Sequence, residues 1–366
     1  MHTPRPGTRS VRVFAVPLLL AGVIGGVAPA APAAGARTGP AGPPASFSIS
    51  GGLSGVAATS ARNAWAVGNT TAGGPGNKTL ILHWNGTSWK QVPSPAPTGS
   101  FLYGVAATSA SNAWAVGPSR SGRPVILRWD GTSWKRVPSP RLGAFGLSSV
   151  AATSAGNAWA VGGTNSGKTV ILHWNGTIWK RVPSPGAHAG LVDVAATSAR
   201  SAWAVGASGT LRSKALILRW NGTIWKQVPS PAPSSSLLDG VAATSARNAW
   251  AVGFSSTSDR ALIERWNGTT WKTVPSPSPA GSGLVSVTAT SRSKAWAVGG
   301  TGGPKTLIKR WNGTTWKTVP SPSPGLSILS GVAATSPGNA WAVGFTGSSG
   351  KPTKTLILRW NGTAWK

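Results

Sequence analysis

Side chains able to do covalent or acid–base chemistry are few in this chain. Its 366 residues hold five carboxylates (Asp130, Asp193, Asp239, Asp259 and Glu264), one tyrosine (Tyr103), four histidines and no cysteine. The lack of cysteine removes thiol nucleophiles, disulfides and thiolate metal sites together. Hydrolysis by paired carboxylates needs two acids on either side of a bond, about 5 to 9.5 Å apart. Asp193 and Asp239, which fall near the same point of consecutive sequence repeats, are the one pair placed to meet that demand. His83 and His173 lie two repeats apart, at a position that Arg fills elsewhere, and do not form a metal pair. Residue types therefore point to binding rather than turnover, with no cofactor and no metal expected. A glycan hydrolase or lyase using Asp193 or Asp239 is the enzymatic alternative.

Charge and aromatic surface are the larger resources. Thirty-five Lys and Arg against five acids give a formal charge of +30 at pH 7, which makes polyanions natural partners. Much of that charge is periodic. Lys90, Lys135, Lys180, Lys226, Lys272, Lys317 and Lys366 recur at one position, and His83, Arg128, His173, Arg219, Arg265, Arg310 and Arg359 at another. Such rings attract phosphate-rich wall polymers, acidic polysaccharides or nucleic acid; equally, they keep a secreted protein soluble while their aliphatic stems cover apolar surface. Nucleic acid is the weakest of these, since no recognised nucleic-acid module is present. The 21 tryptophans allow either sugar stacking or packing, and their uniform placement favours packing.

The elements that position these residues follow from the repeat. The motif Ala64-Trp65-Ala66-Val67-Gly68 and its partner Trp84-Asn85-Gly86-Thr87-Ser88-Trp89 occur seven times. The leading tryptophan stands at Trp65, Trp114, Trp159, Trp203, Trp250, Trp296 and Trp341, a period of 44 to 49 residues, and such a period marks a repeat architecture. Each copy offers four extended runs, in the first copy residues 53–60, 63–68, 78–84 and 88–94, designated strands A to D. Asn85-Gly86 suits a tight hairpin between C and D. Pro93 and Pro95 put strand D at the sheet edge. Repeated sevenfold, this predicts an all-β fold, a seven-bladed β-propeller of four-stranded antiparallel blades. The expected blades are 53–97, 101–140, 147–185, 190–233, 237–279, 283–324 and 328–366. The last copy stops at Trp365-Lys366, and Phe47-Ser48-Ile49 is expected to supply its missing edge. Residues 1–33, with Arg5, Arg9 and Arg12 ahead of an uncharged run and small-residue cleavage sites, read as a secretory signal peptide, and 34–46 as a flexible Ala/Gly/Pro leader. Secretion, with cell-wall association and no membrane span after cleavage, is the expected location, and a monomer the expected state.

The Asn-Ala-Trp-Ala-Val-Gly run, made Gly-Gly by Gly163 and Gly300 in two copies, together with the later Trp-Asn-Gly-Thr-Ser-Trp and Val-Pro-Ser-Pro, resembles the kelch-type propeller repeat, the kind found in the central domain of galactose oxidase. The resemblance covers residues 53–366 and implies the fold. It does not carry copper-radical chemistry, whose Cys ligand is absent here. The turn is also similar to the Asp-box of sialidase-like propellers, but the tyrosine nucleophile that resemblance implies has only Tyr103 to supply it.

Antiparallel blades put the A–B and C–D turns on one face and the B–C and D–A connections on the other. The first set scarcely varies between copies, and the second varies in length and composition. Variable loops on a rigid scaffold are where recognition usually sits. The ligand-binding candidates are accordingly Phe101, Tyr103, Phe145, His188, Asp193, Asp239, Phe254 and Phe345, with the competing reading that these aromatics plug loop cores. Asn-Gly-Thr at Asn85, Asn175, Asn221, Asn267, Asn312 and Asn361 matches glycosylation acceptors but reads better as turn chemistry. A secreted binding protein for a carbohydrate, an anionic surface polymer or a protein is the resulting expectation.

Overall fold

The computed structural model describes residues 48–70, 78–142, 146–186, 188–209, 213–348 and 352–366. The signal peptide, the leader, Phe47 and Phe145 lie outside the described residues.

Seven antiparallel sheets follow one another along the chain, each in sequential strand order. In blade 1 strand A is Gly52–Ser60, B is Asn63–Asn69, C is Thr79–Trp84 and D is Trp89–Gln91. Strand D is shorter than the sequence predicts. The Val92 amide still donates to Ile81 O at 2.9 Å, but Pro93 has no N–H to continue the ladder. The C–D hairpin is closed by the Asn85 side chain. Its Oδ1 accepts from the backbone N–H of Thr87 and of Ser88, both at 3.0 Å, and from the Thr87 hydroxyl at 2.8 Å. Gly86 takes φ +104° there, a conformation that costs glycine little. Asn175, Asn267, Asn312 and Asn361 make the same turn, as does Asp130 in blade 2.

The core is not inside the blades but between them. Seven hydrophobic clusters each join one blade to the next. The leading tryptophan of a blade enters a slot made by the other two tryptophans of its successor. Trp65 lies 4.8 Å from Trp129 and, edge-on, 5.1 Å from Trp134. Trp159 repeats this against Trp220 and Trp225 at 4.9 and 5.2 Å. The ring closes when Trp341 of the seventh blade meets Trp84 and Trp89 of the first, at 4.9 and 5.1 Å. Offset and edge-to-face pairs of this kind add about 0.5–1.5 kcal/mol each beyond area burial.

The outer edge of the last blade is made of two pieces. Trp365 pairs with Trp360, and Lys366 exchanges backbone hydrogen bonds with Arg359. Further along the same strand C, Ser50 pairs with Lys354, the Gly51 amide donates to Thr353 O at 2.8 Å and the Thr355 amide to Ile49 O at 2.9 Å. Ile49 packs on the cluster between blades 7 and 1, as Val92, Val137, Val182, Val228, Val274 and Val319 pack on the other six.

Trp159 is fully buried in such a slot, so Trp159→Ala should lower the unfolding free energy by about 3–5 kcal/mol. Urea denaturation followed by far-UV circular dichroism measures this, and a loss below about 1 kcal/mol would contradict the slot's role.

Candidate binding site

Each A strand packs against the A strands of both flanking blades, so the seven form a closed inner ring. They approach so closely that little side chain fits where they meet. A Cβ on Gly104 would stand 2.8 Å from Ser149 Cα, and one on Gly240 2.9 Å from Ser286 Cα. Asp193 occupies the equivalent place in blade 4 and ties three blades together. Its Oδ1 accepts from Ser149 Oγ of blade 3 at 2.6 Å and from the Val194 amide at 2.9 Å, and its Oδ2 accepts from the Val241 amide of blade 5 at 2.8 Å. Asp239 is the extra residue of a β-bulge between Leu238 and Gly240. Bulges re-aim side chains. Asp239 makes no side-chain hydrogen bond among the described residues.

Both carboxylates keep some solvent contact, yet protein surrounds them at the centre of the disc. Burial raises the pKa of Asp193, opposed by its hydrogen bonds. Burial and then the charge of Asp193 push Asp239 up to about 7. Tyr103 sits just before the close contact at Gly104 and is half-buried; burial raises its pKa, so the phenol stays neutral.

At the loop face the B–C and D–A connections of each blade bond to one another. Phe101 N donates to Pro118 O at 3.0 Å, Ser256 N to Ser235 O at 2.9 Å and Gly281 N to Asp259 O at 2.8 Å. Phe254 and Phe345 both lie near the end of a strand B, half-buried, and each reaches the first residue of the next blade's strand A, Gly283 and Gly52 respectively. Phe101 and Tyr103 lie 6.2 Å apart as a tilted pair. His188 is exposed, with φ 52°, and its carbonyl accepts from the Gly209 amide at 2.8 Å. Phe101, Tyr103, His188, Asp193, Asp239, Phe254 and Phe345 are thus distributed over the channel and this end of the strands. Asp193 is the one whose hydrogen bonds are fully used within the scaffold.

On the opposite face the C–D turns rest on the A–B turns: Gly86 packs on Arg62, Gly222 on Arg200 and Gly268 on Arg247. One sequence expectation needs correcting here. The His/Arg ring is not free charge. His83 stacks on Trp65 and His173 on Trp159, ring to ring at 4.2 Å, and burial lowers both imidazole pKa values. Each arginine of the ring lies between tryptophans of two blades, as Arg128 does at 5.1 Å from Trp114 and 5.4 Å from Trp174. Arg265 also donates to Arg292 O of the next blade at 3.0 Å. A cation next to a tryptophan in every repeat is the same sequence pattern whether it faces water or a ring. The lysine ring is exposed throughout. The first and third tryptophans of every repeat are at most 7% exposed and so are not sugar platforms. A cleft of about 510 Å³ on this face is lined by Arg128, Trp129, Asp130 and Lys135 among others.

Two buried charges escape a reading by residue type. Strand C carries leucine at Leu82, Leu127, Leu172, Leu218 and Leu358, but Glu264 and Lys309 at the matching points of blades 5 and 6. Both are essentially fully buried. Glu264 Oε1 accepts from Ser230 Oγ at 2.7 Å, and the Lys309 ammonium donates to the Pro277 carbonyl. Burial pushes Glu264 up to about 7 and lowers Lys309. Comparing the copies column by column would have revealed them.

The sequence matches no family model and no curated protein. Solved structures do match in shape. YCF48 bound to a D1 peptide is 17% identical, with TM-score 0.58 over 85% of this chain and 95% of that one. The BP39L lectin from Burkholderia pseudomallei is 15% identical, with TM-score 0.59 over 87% and 98%. The WD40 propeller domain of Doa1 is 12% identical, with TM-score 0.57 over 85% and 95%. These are three different kinds of propeller. The likeness at such identities is one of fold, and fold does not carry function.

Glu264 gives a test with a definite sign. An acid whose folded pKa is raised contributes its full stability below the unfolded value and loses it as pH rises through the folded one. Between pH 4.5 and about 7 its ionisation should therefore remove on the order of 3 kcal/mol. Glu264→Leu should be more stable than the parent at pH 7, with the difference shrinking toward pH 4.5. A difference independent of pH in chemical denaturation would contradict this assignment.

Proposed function

We propose that the chain is a secreted, non-enzymatic binding propeller of kelch-like repeats, which holds a carbohydrate or anionic cell-surface polymer, or a protein, at its B–C/D–A face. The observation that carries the reading is the division between the two faces. On one, the turns pack on each other within each blade and the first and third tryptophans are committed to packing between blades. On the other, Phe254, Phe345, Phe101, Tyr103 and His188 present differing half-buried or exposed side chains around one channel mouth. A shallow, rigid, concave surface with a few aromatic and polar groups is the usual form of a ligand site. Shape relatives whose names describe a lectin and a bound peptide support binding as the role of such a surface.

Asp239 supports a second reading, a glycan hydrolase or lyase. Its carboxyl, raised to about 7 by burial and by Asp193, has the character of a general acid. Against it, the hydrogen bonds of Asp193 to Ser149, Val194 and Val241 give that residue a structural task.

Screening of acidic and neutral glycans at low and high salt separates the readings. Binding that survives salt and falls about tenfold or more in a Phe254→Ala, Phe345→Ala double variant is the expected outcome. Turnover of any bound glycan that is abolished by Asp239→Asn would replace it with the enzymatic reading.

A further inference from the structure

The face opposite the loops carries an independent pair of observations. First, it carries a regular array of exposed charge. A ring lysine follows the third tryptophan in every blade, and Arg62, Arg200, Arg247 and Arg292 stand exposed at the A–B turns. Its one acid, Asp130, is already paired with Lys135 at 2.7 Å. The remaining acids are elsewhere: Asp193 and Asp239 in the channel, Asp259 in a loop of the other face, and Glu264 buried. Second, the residue before the third tryptophan is small or polar in five copies (Ser88, Ser133, Thr270, Thr315, Ala364) but Ile178 in blade 3 and Ile224 in blade 4. These two are 51% and 49% exposed, and with Leu326 of the other face they are the large exposed apolar side chains among the described residues. Each is two residues from a ring lysine, Lys180 or Lys226, and Arg200 packs on Gly222 in the turn that carries Ile224.

Cations alone would fit any polyanion. Adjacent apolar side chains held out from a basic surface fit a partner that is anionic outside and oily beneath. The structure assigns this face to the surface of a bilayer containing anionic lipids, with Ile178 and Ile224 entering the headgroup–acyl boundary and the lysines and turn arginines meeting the phosphates. The attachment is peripheral; no helix among the described residues is long and apolar enough to span. Blades 3 and 4 lie deepest, and the loop face is turned away from the membrane, open to whatever it holds. Docking here is independent of any ligand at that other face.

Sedimentation of the full chain with vesicles of phosphatidylcholine, with or without phosphatidylglycerol, tests the assignment. Binding is expected with phosphatidylglycerol only, weakened about fivefold for each of Lys180→Gln and Lys226→Gln and roughly tenfold for each of Ile178→Ser and Ile224→Ser. Serine occupies this turn position in blades 1 and 2, so these variants keep a turn the fold already uses. The reverse change, Ser133→Ile, should strengthen binding. Equal affinity of parent and isoleucine variants, with comparable binding to dextran sulfate, would overturn the assignment in favour of a soluble polyanion, and absence of vesicle binding would overturn it outright. Phe254→Ala and Phe345→Ala should leave vesicle binding unchanged, so this result is read separately from ligand capture at the loops.

Discussion

Everything in this molecule depends on one contact made seven times: the leading indole of a blade held between the two indoles of the next. A single four-stranded sheet has two faces to bury, and there is no helix among the described residues to cover them. Stacking the sheets radially solves this only if each blade presents a knob on one side and a matching slot on the other. Trp65 is a knob and Trp129 with Trp134 is its slot. Because the seventh knob, Trp341, finds its slot in the first blade, no face of the stack is left open. Each tryptophan contributes on the order of 150–250 Å² of contact, and the slot leaves little tolerance for another shape.

That constraint explains the roles of the neighbouring residues. In the first five blades the second indole, fixed as one wall of a slot, directs its N–H to a turn carbonyl, as Trp84 does to Ala61 at 3.1 Å. This holds the A–B turn against the C–D turn. The residue before it must cover the top of the knob, so it is a flat cation or imidazole: Arg128 and His83 differ in charge but share a planar π surface. Residues that seem chosen for charge are therefore chosen for shape at this position. The lysine seven residues on has no such duty, and remains free in water.

Periodicity made most of the fold legible. The tryptophan spacing, the Asn-Gly hairpins and the edge prolines identify blades, strand order and the outer strand without reference to any contact. What stayed hidden involves neighbours far apart in sequence. Nothing local to Asp193 reveals that its carboxylate joins Ser149 to Val241, because the distance between A strands is set by ring closure and not by the chain around it. The arginine ring was misread for a related reason, since a repeating Arg-Trp pair does not state which blade's ring the cation lies against. Glu264 and Lys309 were legible as exceptions in an otherwise leucine column, but only to a comparison of copies that asks where each column points.

A closed ring also separates what can vary from what cannot. Side chains in the slots and along the crowded inner strands each touch two blades, so a change in one disturbs its neighbour as well. The loops at the channel mouth end strands that are already held. Phe254 and Phe345 illustrate the boundary: each follows the glycine of its strand B and leans on the next blade's first strand, a place taken by Asn69, Pro118, Gly163, Ala207 and Gly300 in the other copies. Such different residues are accepted there because the contact is the last before solvent. The turns of the other face admit almost no change in backbone, yet Ile178 and Ile224 show that the outward side chain is free even there. Specificity can thus be written on both faces, in loop shape on one and in side-chain chemistry alone on the other, without disturbing the tryptophan ring between them.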